Sequence, residues 1–401
     1  MTSALLGRVS HARTYTTASP LTLCLCAASL GTLLAWTSVR ASFHSAASEP
    51  IPSPASSLIP HLSQEQVKKL PYPPHPLPGL RDVDSPYGRT RVYEWGPEDG
   101  PRILLIHGIS TPSIALTDLA HRLTAEGYRV LLFDLFGRGY SSAPSPDAHR
   151  YDSALYMSQI LLCIQSSPVL WSSFTIVGYS LGGAIAADFT SYFPNLVDGL
   201  VLVASGGLIR TEHISWKSRL LYSTAGFVPE SWIERLVTRR LWTGAEVSRS
   251  IEPEPDSSIV SANSDDVKTA AHRGNAVYAS SNLNLLPGNS CSTVSGVVDW
   301  QISHHRGFVP AFISSIRYAP IHNQHHRWRV VANNIETGAG KLKEVQLVLG
   351  ETDPIIIAEE MVEDSKAILG DKIKITIVKG AGHELAIDRA SEIVQVIKTL
   401  Q

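Results

Sequence analysis

Cysteine is scarce in this chain, and its scarcity argues against a scaffold held together by disulfides. Four cysteines among 401 residues are too few and too scattered for a disulfide framework. Cys24 and Cys26 lie in an apolar N-terminal run. Cys163 falls in an apolar stretch of helical character, where we expect a small core residue, and Cys291 stands alone.

A large net charge is also missing. The formal net charge is −2 at pH 7, and the isoelectric point lies near 6.7. We therefore expect no nucleic-acid partner, because such a partner calls for a basic surface. No Asn-x-Ser/Thr sequon occurs, which fits a location without N-glycosylation but does not exclude secretion. Oligomeric state is left open.

The chain has no ligand set with metal-site spacing. Zinc sites combine cysteine, histidine or carboxylate ligands at regular short spacings. Several histidines of the second half are irregularly spaced and have no such partners: His304, His305, His322, His325 and His326. We expect no metal, and no motif suggests an organic cofactor.

The N-terminal segment has no acidic residue before Glu49. Residues 21–39 form a nearly continuous apolar run without charge, long enough to span a bilayer. We interpret residues 1–45 as a membrane anchor or targeting segment. A single-pass anchor that places the protein at a membrane fits the length of the run. A cleaved signal peptide, for secretion, and a mitochondrial transit peptide are the alternatives.

Residues 46–83 are rich in proline, with nine prolines between positions 50 and 78. Such composition favours a stiff, extended chain. The segment is therefore predicted to be a linker between the N-terminal segment and a folded body.

The remaining sequence predicts an α/β fold. Buried strands alternate with helices over residues 84–206, and the alternation resumes over residues 343–401. This pattern indicates a mostly parallel, doubly wound sheet with helices on both faces. Residues 207–342 lack a clean alternation and are predicted to be a large, mainly helical cap insertion over the functional edge of the sheet.

A serine between glycines follows one of the buried strands. The spacing Gly178-x-Ser180-x-Gly182 is typical of a nucleophile elbow, a sharp strand-to-helix turn that exposes the serine at the sheet edge. The turn brings backbone segments close together and therefore favours small residues on both sides. A serine hydroxyl is a weak nucleophile and needs a base and oxyanion donors to react.

A carboxylate and a histidine follow two later strands. Asp353 comes after the strand predicted at 345–349, and His383 comes after the last strand. Because the carboxyl ends of parallel strands meet at one edge of the sheet, we expect both residues near Ser180. Glu351 and Glu384 are rival acids in the same loops.

Five motifs occur in order: LLIHGIS, FDLFGRGYSS, GYSLGG, LGETDP and GAGHELAID. Over residues 87–400 the chain resembles an α/β-hydrolase-fold serine hydrolase, esterase- or lipase-like with a cap insertion. The resemblance implies Ser180 as nucleophile, His383 as general base and Asp353 as the acid, because Asp353 matches the family's Gly-x-x-Asp pattern. It also implies further site residues: the backbone N–H groups of Ile109 and Leu181 as the oxyanion hole, and His107, Gly108, Gly178 and Gly182 as structural support.

The resemblance implies cleavage of a carboxylic ester, with an apolar or lipid acyl substrate, through an acyl-serine intermediate. A serine nucleophile argues against the dehalogenases and epoxide hydrolases of the family, which use aspartate. Acyl transfer and hydrolysis of thioesters, amides or C–C bonds remain alternatives, since the cap and pocket select the bond. A non-catalytic binding protein on the same fold is the non-enzymatic alternative.

Overall fold

The computed structural model describes residues 49–214, 216–224, 228–242 and 282–400. The segment predicted as an anchor or targeting sequence, residues 1–45, lies outside these ranges. Within them, no helix is both long enough and apolar enough to cross a membrane.

An eight-stranded sheet forms the centre of the described chain, with strand order β1-β2-β4-β3-β5-β6-β7-β8. Strand β2 is antiparallel to both β1 and β4, and neighbouring strands from β4 to β8 are parallel. The strands are β1 (Leu80–Val83), β2 (Thr90–Trp95), β3 (Arg102–Ile106), β4 (Arg129–Phe133), β5 (Phe174–Tyr179), β6 (Val197–Val203), β7 (Val345–Gly350) and β8 (Ile373–Val378).

The helices include those that cover the sheet and those of the insertion. They are α1 (Pro54–Ser57), α2 (Gln64–Lys68), α3 (Thr117–Ala125), α4 (Ser153–Gln165), α5 (Leu181–Tyr192), α6 (Trp216–Leu221), α7 (Glu230–Leu241), α8 (Val294–His304), α9 (Phe308–Tyr318), α10 (His325–Thr337), α11 (Ala358–Leu369), α12 (Leu385–Asp388) and α13 (Ala390–Lys398). Short 3-10 turns lie at Ile59–His61, Ser113–Leu116, Thr211–His213 and Gly370–Lys372.

The central strands are buried along most of their length, which explains their largely apolar sequences. Every residue of β4 and β7 is buried. Helices cover the sheet in two groups: α3 packs against α13, while α4, α5, α10 and α11 pack in succession. Both features are those of a parallel sheet covered on its two faces, and the predicted α/β fold class is confirmed.

The end of the insertion differs from the predicted boundary at residue 342. Helix α10 packs against α5 and α11, and it buries Trp328 and Val331 in the main hydrophobic core. Strands β6 and β7 are adjacent and parallel, so a crossover connects them, and such crossovers are usually helical. Helix α10 supplies the last part of that crossover and belongs with the sheet rather than with the cap.

The proline-rich segment also differs from the interpretation of residues 46–83 as a linker. It contributes α1, α2 and the edge strand β1, and Tyr72 is completely buried. The Tyr72 hydroxyl lies 3.0 Å from both carboxylate oxygens of Asp134. Proline has no backbone N–H to satisfy, so such a chain can cross the surface of a domain while the side chains between the prolines insert into it.

Candidate active site

Ser180 sits at the turn between β5 and α5 in a backbone conformation that is rare for residues other than glycine, with φ 54° and ψ −115°. Its N–H donates to the Val203 carbonyl at 2.9 Å. A Cβ on Gly178 would overlap the Gly182 carbonyl oxygen, and one on Gly182 would overlap that of Ile106. The two glycines are therefore required by close backbone approach, and the turn holds the serine at the carboxyl edge of the sheet.

The structure brings Ser180, His383 and Asp353 into one hydrogen-bonded series. His383 Nε2 lies 3.0 Å from Ser180 Oγ, and His383 Nδ1 lies 2.9 Å from Asp353 Oδ2. A carboxylate only accepts, so Nδ1 carries the proton of the neutral imidazole. Nε2 is then the acceptor for the serine hydroxyl, which is the arrangement that a general base needs.

Asp353 is placed by the loop after β7, and its side chain is 1% exposed. Its second oxygen, Oδ1, accepts from the N–H groups of Ile355 at 2.8 Å and Ile356 at 2.9 Å. The rival Glu351 accepts from the Gly380 N–H at 2.9 Å instead. Of the acids in these loops, Asp353 is therefore the one hydrogen-bonded to the histidine.

The electrostatic surroundings favour the charged form of His383. Burial lowers its pKa, but the charge and hydrogen bond of Asp353, together with the charge of Glu384, outweigh burial and raise the pKa above its ordinary value. Burial raises the pKa of Glu384 itself. An imidazolium that forms during a reaction is thus stabilised by Asp353 at short range.

His107 supports the loop beside the serine and is held in its neutral form. Its Nε2 accepts from the Leu135 N–H at 2.9 Å, so its Nδ1–H donates to the Gly108 carbonyl at 2.8 Å. Burial lowers the pKa of His107 to about 3. A Cβ on Gly108 would lie 3.5 Å from Ser180 Cβ, so this loop runs directly against the nucleophile position.

The two predicted oxyanion donors lie on the two segments next to Ser180, the start of α5 and the loop after β3. Leu181 is the first residue of α5, where backbone N–H groups have no partner within the helix. Within the described residues, no acceptor is recorded for the N–H of Leu181 or Ile109. The N-terminus of α5 adds a positive dipole end at this point, which favours a developing negative charge.

Arg138 is fully buried and contacts the same loop. Its Nε donates to the Ile109 carbonyl at 3.1 Å, and its guanidinium also donates to Phe136 O at 3.0 Å and Ser315 Oγ at 2.8 Å. Among the described residues, none of the recorded ion pairs joins Arg138 to a carboxylate. Ser315 belongs to α9 of the insertion, so this contact spans the core and the cap.

Gln301 of α8 makes a second contact between the cap and the loop. Its Nε2 donates to the Ser110 carbonyl at 2.8 Å, and its Oε1 accepts from the Gly139 N–H at 2.8 Å. Sequence reasoning missed Gln301 because it lies 191 positions from Ser110 in a segment without a recognisable motif. A lone glutamine on an apolar helix face was the only signal.

One histidine of the insertion, His305, is hydrogen-bonded to the backbone. His305 is buried, and its Nε2–H donates to the Ser141 carbonyl at 2.8 Å. Burial lowers its pKa to about 4. Over the described ranges, no group of three or more histidines, cysteines and carboxylates is arranged to hold a metal.

Comparisons with known proteins agree with this architecture. A family model for the α/β hydrolase fold matches residues 101–390. An uncharacterized protein of Mycobacterium tuberculosis is 39% identical over 148 residues, which cover 34% of this chain and 40% of that protein. A serine hydrolase-like protein of Danio rerio is 31% identical over 127 residues, covering 32% of this chain and 38% of that one. The matches thus span about two fifths of these relatives.

Two solved structures share the fold over most of their length. A bacterial membrane phospholipase A superposes with a TM-score of 0.52 at 17% identity, covering 95% of this chain and 96% of that one. The carboxylesterase CesB of Bacillus subtilis superposes with a TM-score of 0.50 at 18% identity, covering 80% and 90%. At such identities the likeness shows the fold alone. With the family model matching most of the chain, the protein belongs to the α/β hydrolase fold family.

Proposed function

We propose that this protein is a serine hydrolase that cleaves a carboxylic ester through an acyl-Ser180 intermediate. The observation that carries the proposal is the hydrogen-bonded series from Ser180 Oγ through His383 to Asp353, at 3.0 and 2.9 Å. Esterase structures with this fold and serine hydrolase-like relatives support it.

The proposed reaction uses the groups in order. His383 Nε2 takes the Ser180 proton as Oγ attacks the ester carbonyl, and Asp353 stabilises the imidazolium that forms. The N–H groups of Ile109 and Leu181 stabilise the oxyanion of the tetrahedral intermediate. His383 then protonates the leaving alcohol. Water, activated by His383, later releases the acid from Ser180.

An apolar acyl group is the proposed substrate class. The side chain of Ile109 packs against the main core and also against an apolar cluster of the cap. That cluster is formed by buried residues of α7, α8 and α9, namely Ile233, Val237, Val298, Phe308, Val309, Phe312 and Ile313. An acyl chain bound beside Ile109 would therefore meet apolar side chains, whose contact with methylene groups is favourable.

The test is hydrolysis of p-nitrophenyl acetate, butyrate, octanoate and laurate by the full chain and by Ser180→Ala. We expect the kcat/KM of the full chain to rise with acyl length. Ser180→Ala should show no turnover. A fluorophosphonate probe should label the wild-type protein but not that variant. Equal turnover or labelling of Ser180→Ala would refute the nucleophile. Faster cleavage of a matched acyl thioester would change the proposed substrate class.

We also propose that residues 21–39 anchor the protein in a membrane as a single span. The support is the uncharged apolar sequence of that segment, which is long enough to cross a bilayer. Protein tagged at either end should stay in the membrane fraction after carbonate washing, and protease should remove one tag only. Release by carbonate, or an N-terminus shortened past residue 39, would argue for a cleaved targeting sequence instead.

A further inference from the structure

The loop of residues 108–110 has three successive carbonyl groups, and each one accepts a hydrogen bond from a buried side chain. Gly108 O accepts from His107, Ile109 O from Arg138, and Ser110 O from Gln301. The first of these supports, His107, directly precedes the loop. The other two connect the loop, directly or through one further bond, to helices of the cap.

These bonds determine where the Ile109 N–H points. In a trans peptide the C=O and the N–H point in opposite directions. Fixing the Gly108 carbonyl therefore fixes the direction of the Ile109 N–H. Fixing the Ile109 carbonyl sets the next peptide plane, and the two planes together leave Ile109 little freedom in φ and ψ.

The insertion holds Arg138 in place and supplies Gln301. The Arg138 guanidinium is held by Ser315 of α9, and the hydroxyl of Tyr156 lies 2.8 Å from the same Ser315 Oγ. Gln301 of α8 bridges the Ser110 carbonyl and the Gly139 N–H. Displacement of α8 would thus remove the donor to the Ser110 carbonyl, and displacement of α9 would remove Ser315 from the guanidinium that donates to the Ile109 carbonyl.

Burial makes this arrangement costly to disturb. Arg138 and Gln301 are both 0% exposed. Among the described residues Arg138 has no carboxylate partner, and a buried guanidinium then requires every available acceptor. Two of the three acceptors found there are backbone carbonyls, of Ile109 and Phe136. Loss of one acceptor therefore changes the position of the whole group.

We propose that Arg138 and Gln301 are positioning residues that tie residues 108–110, the oxyanion loop, to the cap. By holding the peptide planes after Ile109, they complete the support that His107 gives to the plane before it, so that the Ile109 N–H stays aimed at the reacting carbonyl. The proposal rests on the proposed ester hydrolysis. It makes the cap a part of the catalytic geometry in addition to its apolar contact with Ile109. Substrates or conditions that unseat the cap then lower the rate of acylation.

The test compares Gln301→Met, Arg138→Lys and Ser315→Ala with a matched cap variant, Ser303→Ala. Ser303 is exposed, and its hydroxyl donates to the Asp299 carbonyl one turn earlier on α8. For p-nitrophenyl acetate we expect kcat of Gln301→Met and Arg138→Lys to fall about 10- to 100-fold, because small misplacement of a catalytic donor has effects of that size. KM should stay within about twofold, since ground-state binding is unchanged.

Two readouts separate positioning from a merely structural role. Lysine keeps the charge of Arg138 but cannot reach all three acceptors together, so full kcat in Arg138→Lys would overturn the proposal. Hydrogen exchange of the peptide that spans residues 107–112 should accelerate in Gln301→Met and Ser315→Ala, but not in Ser303→Ala. Unchanged exchange in both variants would also overturn it.

The same experiment distinguishes failure of this inference from failure of the proposed function. If wild-type protein turns over no ester, the proposed function fails, and the exchange measurement alone decides whether the cap holds the loop. If wild-type protein is active, both kcat and exchange must change in Gln301→Met. A loss of kcat shared by Ser303→Ala would show a general effect of the cap and would contradict the specific role.

Discussion

The strand ends and the cap helices contribute residues to the candidate site in different ways. Ser180, Asp353 and His383 each follow a parallel strand, and backbone geometry places them. The cap contributes single side chains, Gln301 and Ser315, that hydrogen-bond to loops of the core. The fold alone thus places the serine, histidine and aspartate, whereas the loop of residues 108–110 also has hydrogen bonds that lead to the insertion.

The largest expected effect comes from changing one of the residues that follow the strands. Asp353→Asn should lower kcat about 10⁴-fold, because the histidine then loses the partner that fixes its tautomer and stabilises its charged form. KM should change little. Steady-state kinetics with p-nitrophenyl butyrate measures both.

The matched control is Glu351→Gln, two residues away on the same loop. Glu351 accepts from the Gly380 N–H, and the histidine contact belongs to Asp353. We expect kcat of Glu351→Gln to stay within about threefold of wild type, as for a change outside the reacting series. An equal loss in both variants would show that the loop, rather than the Asp353 carboxylate, carries the effect.

A second prediction concerns the close packing of the elbow. Gly182→Ala places a methyl group on the Ile106 carbonyl oxygen, which belongs to the rigid strand β3 and has little room to move. We expect a loss of about 3 kcal/mol in the free energy of unfolding, at the upper end for overpacking. Urea denaturation followed by tryptophan fluorescence measures it.

Gly382→Ala provides the control for that measurement. A Cβ on Gly382 would have no neighbour within 4 Å, so the same substitution should cost less than about 1 kcal/mol. Equal midpoints for the two variants would contradict the proposed packing of the elbow.

The sequence was sufficient for the sheet and for the groups at its edge. Ser180 is marked by glycines on both sides, and Asp353 and His383 follow apolar strands, so local patterns located them. Tyr72 and Gln301 have no such pattern. Their contacts join residues 62 and 191 positions apart, and only the packed structure reveals them. Proline content suggested an extended segment but gave no sign of the core that Tyr72 enters.

A third prediction tests that N-terminal segment, which, like the cap, reaches the core through side chains. Tyr72→Phe removes the hydroxyl that donates to Asp134, whose carboxylate is fully buried and has a pKa raised by burial. We expect a loss of about 2 kcal/mol, as for a buried group that loses a hydrogen-bond partner. Urea denaturation at neutral pH is the measurement.

Tyr128→Phe is the control for this third prediction. Its hydroxyl is also buried, but it has no hydrogen-bond partner within the described residues. Its removal should leave stability unchanged or raise it slightly. If both variants lose the same free energy, the Tyr72 contact with Asp134 is not what attaches the segment.

The smallest expected effect is a shift in the pH dependence of kcat/KM. It tests how strongly a neighbouring charge acts on the histidine that follows β8. His383 has to be neutral to take the Ser180 proton, so kcat/KM falls as pH drops below its pKa. That pKa is raised above 6.5, in part by the charge of Glu384. Glu384→Gln should therefore move the acidic limb to lower pH, by less than about one unit, because a neighbouring charge outside the main hydrogen bond has a modest effect.

The control is Glu363→Gln, whose carboxylate is exposed and pairs with Arg210. Its acidic limb should coincide with that of wild type. A limb that moves upward in Glu384→Gln, or equally in both variants, would mean that Glu384 does not act on His383 through its charge. Loss of the Glu384 charge lowers the pKa of His383. Looser packing that exposes His383 to water would raise that pKa, because burial opposes the charged form. The direction of the shift therefore separates the electrostatic effect of Glu384 from a change in packing.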